Sequence, residues 1–220
     1  MIHPIISAIK NRLQEDLPGE PAQRIMAPAH RMNNQFYEEK RPNYRLGSVL
    51  ILLYEKSNKI HFTLTLRQSY DGVHSGQISL PGGKIEKSDN GPIEAAMREA
   101  QEEIGIPIKE IEILGGLSEL YIPPSNFLVF PVVGFVTGEP LLYPQKREVA
   151  AIYEIQLEQI LNEELRQSSV MSVKSHEDKE QTLNVTIPHF LIDGKKIWGA
   201  TAMILSEFAE IIRPLIHQNN

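Results

Sequence analysis

Residues 80–106 read LPGGKIEKSDNGPIEAAMREAQEEIGI, a glycine-containing turn followed by the pattern of an acidic helix. Gly91-Pro92 predicts the start of this helix, because proline is favoured at the first helical position. Gly105 predicts its end, since glycine readily adopts the left-handed conformation of a C-terminal cap. The stretch therefore predicts a turn, a short helix and one apolar stripe at helical spacing, formed by Ile93, Ala96, Met97, Ala100 and Ile104.

Three carboxylates lie away from this stripe. Glu99, Glu102 and Glu103 are spaced i, i+3, i+4, which puts them on one face of the helix. Unpaired, neighbouring carboxylates repel one another by roughly 0.2–0.5 kcal/mol per pair. A hard cation with oxygen ligands, such as Mg²⁺, would convert that repulsion into binding. The alternative is a solvated acidic face in which Arg98 pairs with Glu94 and Glu102, and the three glutamates alone leave both interpretations open.

The glycine turn and the helix together resemble the Nudix hydrolase signature, in which a Gly and a Glu precede Arg-Glu-aliphatic-x-Glu-Glu-x-Gly-aliphatic. One extra residue brings Gly83 to the position of the Gly and Asp89 to that of the earlier Glu. This insertion is similar to the coenzyme A pyrophosphatase branch of the family. The positions that match the helical part are Arg98, Glu99, Glu102, Glu103, Gly105 and Ile106, with Ala100 at the aliphatic position.

Further segments look like the same branch. Residues 63–83, TLTLRQSYDGVHSGQISLPGG, resemble the motif that precedes the signature, and similar stretches are PPSNF at 123–127, PVVGF at 131–135 and IWGATAMIL at 197–205. Gly72 stands where the motif has Arg, which weakens the case for coenzyme A if that Arg binds a substrate phosphate. Arg67 is the candidate replacement. We assign no catalytic role to His74.

The resemblance implies a diphosphatase that depends on Mg²⁺ or Mn²⁺. It implies metal ligation by the Gly83 carbonyl and by Glu99, Glu102 and Glu103. Arg98 would orient the glutamates by ion pairing. The general base stays open between Glu102, Glu103 and Glu148, which precedes a predicted strand. Substrate-binding candidates are Arg45, Arg67 and Gly82.

The implied substrate is coenzyme A or acyl-coenzyme A, cleaved to 3′,5′-ADP and 4′-phosphopantetheine or its acylated form. The alternative enzyme acts on another nucleoside diphosphate-X, such as ADP-ribose or NADH. A third alternative is a non-catalytic, nucleotide-sensing Nudix-like module, which would be expected to have lost the glutamates that this sequence keeps.

Composition narrows the class of protein. A chain of 220 residues with 41% apolar residues can bury one substantial core. It has no apolar run of the ~20 residues that a membrane span needs, and its first residues lack the pattern of a signal peptide. The absence of cysteine is compatible with a cytoplasmic protein. The net charge of −6 argues against non-specific nucleic-acid binding. We therefore expect a small-molecule partner, with a homodimer left open.

The remaining pattern predicts an arm and a domain. Residues 1–44 are expected to form an N-terminal helix and an irregular, basic arm packed on a domain at 45–220. Within the domain we predict a hairpin at 48–67, a strand at 126–136 whose Pro131 favours an edge or a bulge, a helix at 157–167 and a closing helix at 200–212. Strands interspersed with helices without a βαβ repeat favour a mixed sheet flanked by helices. This agrees with the α/β/α sandwich that the resemblance implies.

Overall fold

The computed structural model describes residues 4–28, 43–68, 76–174 and 182–217. Their helices are α1 (Pro4–Arg12), α2 (Gly19–Arg24), α3 (Pro92–Ile104) and α4 (Gly199–His217). Their strands are β1 (Arg45–Lys56), β2 (Lys59–Arg67), β3 (Ile78–Ser79), β4 (Gly82–Lys84), β5 (Glu112–Gly116), β6 (Leu120–Ile122), β7 (Phe127–Val136), β8 (Val149–Gln156), β9 (Arg166–Lys174), β10 (Thr182–Ile192) and β11 (Lys195–Trp198). Short 3₁₀ helices span Ile108–Glu110, Leu157–Leu161 and Glu163–Leu165.

Eight strands form a mixed sheet. Its main order is β3-β2-β1-β7-β5, with β4 beside β1, β6 beside β7 and β8 beside β2. Strands β1 and β7 are parallel, whereas the other strand pairs of this sheet are antiparallel. A smaller antiparallel sheet has the order β11-β10-β9.

The two faces of β1 bury different layers of helix. Leu50 and Leu52 belong to the core beneath α3, whereas Ile51 and Leu53 belong to the larger core that contains α1 and α4. This alternation follows from the two-residue period of a strand, which sends successive side chains to opposite faces. Because both faces are covered by helices, the fold is the predicted α/β/α sandwich around a mixed sheet.

The glycine turn lies where β1 and β2 separate. The two strands pair only near their connecting turn, from Leu53↔Phe62 to Lys56↔Lys59. Beyond that point β3 takes the place beside β2 and β4 takes the place beside β1, where Ser48 lies opposite Gly83. The segment from Ile78 to Lys84 therefore fills the gap between diverging strands, and this insertion brings Gly82 and Gly83 into the centre of the sheet.

Helix α3 has the predicted bounds. It begins at Pro92 and ends at Ile104, and Gly105 adopts a φ of 77° in the left-handed region. Ala96, Ala100 and Ile104 are fully buried, as the apolar stripe predicted. Ile93 is 47% exposed, so the stripe prediction is wrong at its first position, although Ala95 in the same turn is fully buried.

Two other local predictions are wrong. Residues 157–167 do not form an α-helix: two 3₁₀ turns are followed by β9, and the side chain of Asn162 caps the second turn by accepting a bond from the Glu164 N–H. Residues 19–24 form α2 instead of irregular chain. In both segments tertiary contacts override the local preference, since Leu157 and Ile160 are buried in the main core and Gln23 is hydrogen-bonded to Glu207.

Pro131 occupies a strand inside the sheet, since β7 lies between β1 on one side and β5 and β6 on the other. Its carbonyl accepts a bond from the Leu117 N–H, in the interval between β5 and β6. The missing N–H of proline therefore faces a break in strand pairing. The prediction that Pro131 lies in an edge strand is wrong. The gap between β5 and β6, on one side of β7, accommodates the proline instead.

Buried polar contacts join α2 to α4. The Gln23 Nε2 donates to Glu207 Oε2 at 2.8 Å, and the Ser206 hydroxyl donates to the Ala22 carbonyl at 2.8 Å. Glu207 Oε1 also accepts from the backbone N–H groups of Gly19 and Ser118, each at 3.2 Å. The N-terminal segment is thus hydrogen-bonded to the end of the chain. Among the described helices, none has the length and apolarity to cross a membrane.

Candidate active site

The Gly82-Gly83 turn touches two of the three glutamates. The Gly82 N–H donates to Glu103 Oε2 at 3.2 Å. A Cβ on Gly83 would overlap the carboxylate of Glu99, lying 2.6 Å from its Cδ. Glycine permits both approaches because it has no side chain to fill this space. The structure therefore brings the turn and the acidic face of α3 together.

Burial differs among the three carboxylates. The Glu103 side chain is only 2% exposed, whereas that of Glu102 is 57% exposed. Burial raises the pKa of Glu103 to about 7, against the opposing effects of the Arg67 charge and the Gly82 N–H bond. Burial also raises the pKa of Glu99, despite its bond from Arg98. Both pKa shifts arise because desolvation penalises a carboxylate charge that no cation compensates. They therefore describe the protein without a bound metal ion.

Arg98 connects the glutamates to the chain before α3. Its Nη1 donates to Glu99 Oε1 at 3.0 Å and to Glu102 Oε2 at 3.2 Å. Its Nε and Nη2 donate to the two oxygens of Asp89 at 2.9 and 3.0 Å, and Nη2 also donates to the Lys84 carbonyl. Hydrogen bonding to Arg98 lowers the pKa of Asp89. Arg98 does not pair with Glu94, which accepts bonds from Asn90 instead.

Each glutamate keeps one oxygen available. Within the described residues, no hydrogen bond reaches Glu99 Oε2 or Glu102 Oε1, and Glu103 Oε1 faces only the Arg67 guanidinium, at 3.9 Å. In the same part of the chain, no three acidic or histidine side chains already stand at the distances of a formed metal site. The donors are all carboxylate oxygens, which is the chemistry that Mg²⁺ and Mn²⁺ accept. The residues thus fit such an ion, provided that their free oxygens turn toward a common point.

Glu148 lies beside this group. It immediately precedes β8, and its carbonyl accepts a bond from the Gln68 N–H at 2.8 Å. Its own side chain is exposed, and its charge contributes to raising the pKa values of Glu99 and Glu103. The Glu148 N–H donates to the Gln145 carbonyl at 3.0 Å, and the Gln145 N–H donates to the Glu103 carbonyl at 2.9 Å, so the backbone before β8 lies beside the end of α3.

Two predicted basic residues occupy different positions. Arg67, at the end of β2, directs its guanidinium toward Glu103. Arg45, at the start of β1, stacks its guanidinium 4.2 Å over the ring of Phe127 and donates to the Ser125 carbonyl at 2.6 Å. Arg67 therefore lies within the acidic group, whereas Arg45 lies to one side of it.

Several predicted features fall outside the described residues. Gly72 and His74 belong to residues 69–75, and the basic residues His30, Arg31, Lys40 and Arg41 of the arm belong to residues 29–42. Two surface depressions in the described part are lined by other residues, one around Lys56 and Glu139 and one around Pro92 and Met97. Neither depression includes the three glutamates.

Sequence reasoning missed two residues that shape this region. A Cβ on Gly47 would lie 3.0 Å from the Gly83 carbonyl oxygen and 3.2 Å from Phe127 Cδ1. A glycine within a strand pattern is a signal for close backbone approach, and that signal was present at Gly47. The stacking of Phe127 under Arg45 had no local signal, because these residues are 82 positions apart in the sequence.

A NUDIX domain family model matches residues 44–176, which is more than half of the chain. The chain therefore belongs to the Nudix hydrolase family. It is a Nudix diphosphatase, a hydrolase of phosphorus-containing anhydrides, and enzymes of this family generally use divalent metal ions.

Similar proteins agree with this assignment. The chain is 34% identical over 146 residues to the Nudix hydrolase NudL of Pectobacterium atrosepticum, covering 66% of this chain and 72% of that protein. It is 35% identical over 147 residues to NudL of Yersinia enterocolitica, covering 67% and 71%.

Solved structures with a similar fold are more distant. A C. elegans Ap4A hydrolase in a binary complex has a TM-score of 0.49 and 14% identity, covering 77% of this chain and 98% of that one. The NUDIX domain of Shewanella oneidensis NrtR, complexed with ADP ribose, has a TM-score of 0.43 and 17% identity, covering 60% and 84%.

Proposed function

We propose that the protein hydrolyses the diphosphate of coenzyme A or acyl-coenzyme A to 3′,5′-ADP and 4′-phosphopantetheine or its acylated form, with Mg²⁺ or Mn²⁺ as cofactor. The observation that carries the proposal is the meeting of Glu99 and Glu103 with the Gly82-Gly83 turn. Support for coenzyme A comes from the branch-like stretches at 63–83, 123–127, 131–135 and 197–205.

The cation would be held by the Gly83 carbonyl and by Glu99, Glu102 and Glu103. When bound, it neutralises phosphate oxygens and lowers the pKa of an attacking water. Arg98 positions Glu99 and Glu102 through one nitrogen while Asp89 anchors the other side of its guanidinium. Orienting contacts of this kind maintain the geometry of a metal site.

The general base is one of Glu102, Glu103 and Glu148. Glu103 is buried beside the glycine turn and accepts a bond from the Gly82 N–H. Glu148 is exposed and near the acidic group. We assign substrate contacts to the side chains of Arg67 and Arg45. Gly82 has no side chain and would let the substrate come close to the backbone.

A second candidate is a Nudix hydrolase of ADP-ribose or NADH. It is favoured by Gly72, which stands where the coenzyme A branch has an arginine. A nucleotide-sensing module without catalysis is the weakest candidate, because Glu99, Glu102 and Glu103 are all present.

We also propose the domain division at residue 45, with residues 1–44 packed on the hydrolase domain, and a cytoplasmic location. The partner is a small anionic nucleotide, without nucleic acid or membrane contact, and the protein acts as a monomer or a homodimer.

The test incubates the full chain with coenzyme A, an acyl-coenzyme A, ADP-ribose and NADH in parallel, with Mg²⁺ or Mn²⁺, and identifies products by mass spectrometry. We expect 3′,5′-ADP from both coenzyme A substrates and slower turnover of the other two. Preferential cleavage of ADP-ribose or NADH would support the second candidate, and binding without cleavage of any of them would support the third.

Variants test the residue roles in the same assay. Glu102→Gln and Glu103→Gln should each lower kcat/KM by roughly 10²–10³-fold, the order expected for a lost electrostatic or acid–base group. Glu110→Gln, an exposed carboxylate in the 3₁₀ helix after α3, is the matched control. Full activity in a folded Glu103→Gln would refute its role. A loss in Glu148→Gln with normal cation affinity would identify Glu148 as the base.

A further inference from the structure

The side chain of Arg45 is fixed in place although it lies at the surface. Its guanidinium carbon stands 4.2 Å over the centre of the Phe127 ring, and its Nη2 donates to the Ser125 carbonyl at 2.6 Å. Its backbone N–H donates to the Asn126 carbonyl at 2.8 Å. Stacking and hydrogen bonding to a rigid turn restrict a side chain that would otherwise sample many rotamers. The cation is thus held in one orientation before any ligand arrives.

Arg45 also lacks a carboxylate partner. Arg67 and Arg98 each stand within ion-pair distance of glutamates, but no ion pair of Arg45 occurs among the residues that the structure describes. An exposed, oriented guanidinium with unused N–H donors matches an external anion, and phosphate in particular accepts two parallel bonds from it. Because the chain has a net charge of −6, we infer that an exposed arginine without a carboxylate partner in the described part of the chain, such as Arg45, serves to recognise an anion.

The position of Arg45 relates it directly to the glycine turn. Gly47 follows two residues later on the same face of β1, and two residues of a strand span about 7 Å. The Cβ position of Gly47 lies 3.0 Å from the Gly83 carbonyl oxygen and 3.2 Å from Phe127 Cδ1. The Cβ position of Gly47 thus lies close both to the Gly83 carbonyl and to the Phe127 ring on which Arg45 is stacked. An anion at Arg45 would stand a short distance from a diphosphate at Gly83.

We propose that Arg45 binds the 3′-phosphate of a 3′-phosphorylated nucleoside diphosphate and makes the enzyme select this class of substrate. The inference rests on the proposed function, because it takes the diphosphate to lie at Gly83 and the three glutamates. The 3′- and 5′-phosphates of one ribose are separated by a single sugar ring, so one molecule can reach both places. Phe127 is a positioning residue, since its ring lies against the Arg45 guanidinium.

The test compares coenzyme A with 3′-dephospho-coenzyme A, which differ only in this phosphate. For the unaltered protein we expect kcat/KM to favour coenzyme A by about 10–100-fold, the order of a charge-assisted hydrogen bond. Arg45→Ala should lower kcat/KM for coenzyme A by this factor, mainly through KM, and leave the dephosphorylated substrate within about twofold because remote binding is lost without harm to the reacting groups.

Two further variants separate charge from orientation. Arg45→Lys keeps the charge without the planar fork, and Phe127→Leu removes the stacking surface at similar volume. Both should reduce the preference to intermediate values. Arg12→Ala, which removes a cation from α1, is the control and should leave the preference unchanged. Thermal melts show whether Phe127→Leu remains folded.

A binding measurement makes the inference independent of turnover. Calorimetry with 3′,5′-ADP and 5′-AMP should show tighter binding of 3′,5′-ADP, and Arg45→Ala should abolish the difference. If coenzyme A is cleaved but Arg45→Ala affects both substrates equally, or neither, the inference is overturned while the proposed function stands. If coenzyme A is not cleaved and Arg45 still accounts for the preference for 3′,5′-ADP, the proposed function fails and the phosphate site stands.

Discussion

Replacing Gly82 by alanine should lower the stability of the protein, whereas replacing Gly83 by alanine should lower its activity. Gly82 has a φ of 153°, which L-residues rarely adopt. Its added Cβ would meet the Ser48 carbonyl oxygen and would lie 2.6 Å from the Val49 Cα, both of which are backbone atoms of β1. Gly83 does not have a positive φ, and the three atoms nearest its added Cβ all belong to the carboxylate of Glu99, the far end of a flexible side chain. One substitution therefore strains the sheet, whereas the other displaces a single acidic group.

The magnitudes follow from these contacts. For Gly82→Ala, backbone strain costs about 1–3 kcal/mol and overpacking adds about 1–3 kcal/mol. The free energy of unfolding should therefore fall by about 2–6 kcal/mol, and Tm by roughly 10 °C. For Gly83→Ala, rotation of Glu99 should keep the free energy of unfolding within about 1 kcal/mol of the unaltered protein, partly because alanine reduces the freedom of the unfolded chain. Displacement of Glu99 by about 1 Å should lower kcat/KM by about 10²-fold.

The assay pairs a circular dichroism melt with steady-state hydrolysis at several Mg²⁺ concentrations. Gly83→Ala should melt normally, lose activity and recover part of it at high Mg²⁺, since the defect lies in cation binding. Gly116→Ala is the control, because its added Cβ would make only an ordinary contact, 3.6 Å from the Pro131 carbonyl oxygen. The reasoning is refuted if Gly83→Ala melts as early as Gly82→Ala, or if it keeps full activity at low Mg²⁺.

Three further predictions concern pH, buried polar contacts and the support of Arg98. In the protein without metal, burial raises the pKa of Glu103 from 4.5 to about 7, so the folded state binds this proton more tightly than the unfolded chain. The free energy of unfolding in urea with a chelator should fall by up to about 3 kcal/mol as the pH rises through this interval, and Glu103→Gln should flatten the change. Glu207→Ala leaves the N–H groups of Gly19 and Ser118 without this acceptor and, within the described ranges, leaves the Gln23 amide with only its bond to the Ser118 carbonyl. It should lower the free energy of unfolding by about 2–5 kcal/mol in the same assay. Asp89→Asn removes the charged group that holds Arg98 from the side opposite the glutamates, and calorimetric titration should show Mn²⁺ affinity weakened by about 10–100-fold.

Each of these predictions has a control. Glu158→Ala, at an exposed position, should leave the urea midpoint unchanged, and Asp193→Asn, in the turn between β10 and β11, should leave Mn²⁺ affinity unchanged. If the metal-free protein became more stable as the pH rises from 4.5 to 7, this would contradict the prediction that burial raises the pKa of Glu103. Normal stability in Glu207→Ala, or normal Mn²⁺ affinity in Asp89→Asn, would show that those contacts are dispensable.

The predictions that succeeded depended on residues close in sequence. Pro92 and Gly105 are local start and stop signals, and both ends of α3 lie where they indicated. The common face of Glu99, Glu102 and Glu103 follows from the helical period, which needs no tertiary information. The predictions that failed concerned segments in which tertiary packing overrides the local preference, or a side chain whose exposure depends on what lies over it. Ile93 lies on the exposed side of the first turn of α3, whereas Ala95 in that turn is fully buried.

The sequence by itself determined the acidic helix, the glycine turn before it and the apolar run of β1, because each of these is specified by neighbours a few residues apart. Tertiary structure alone decided which carboxylate is buried, which arginine it faces and where Arg45 stacks. Glu103 meets Gly82, 21 residues away, only because β1 and β2 diverge and admit the segment between Ile78 and Lys84. Such contacts depend on how sheet and helix pack together, and burial then sets the pKa of Glu103, which no local pattern encodes.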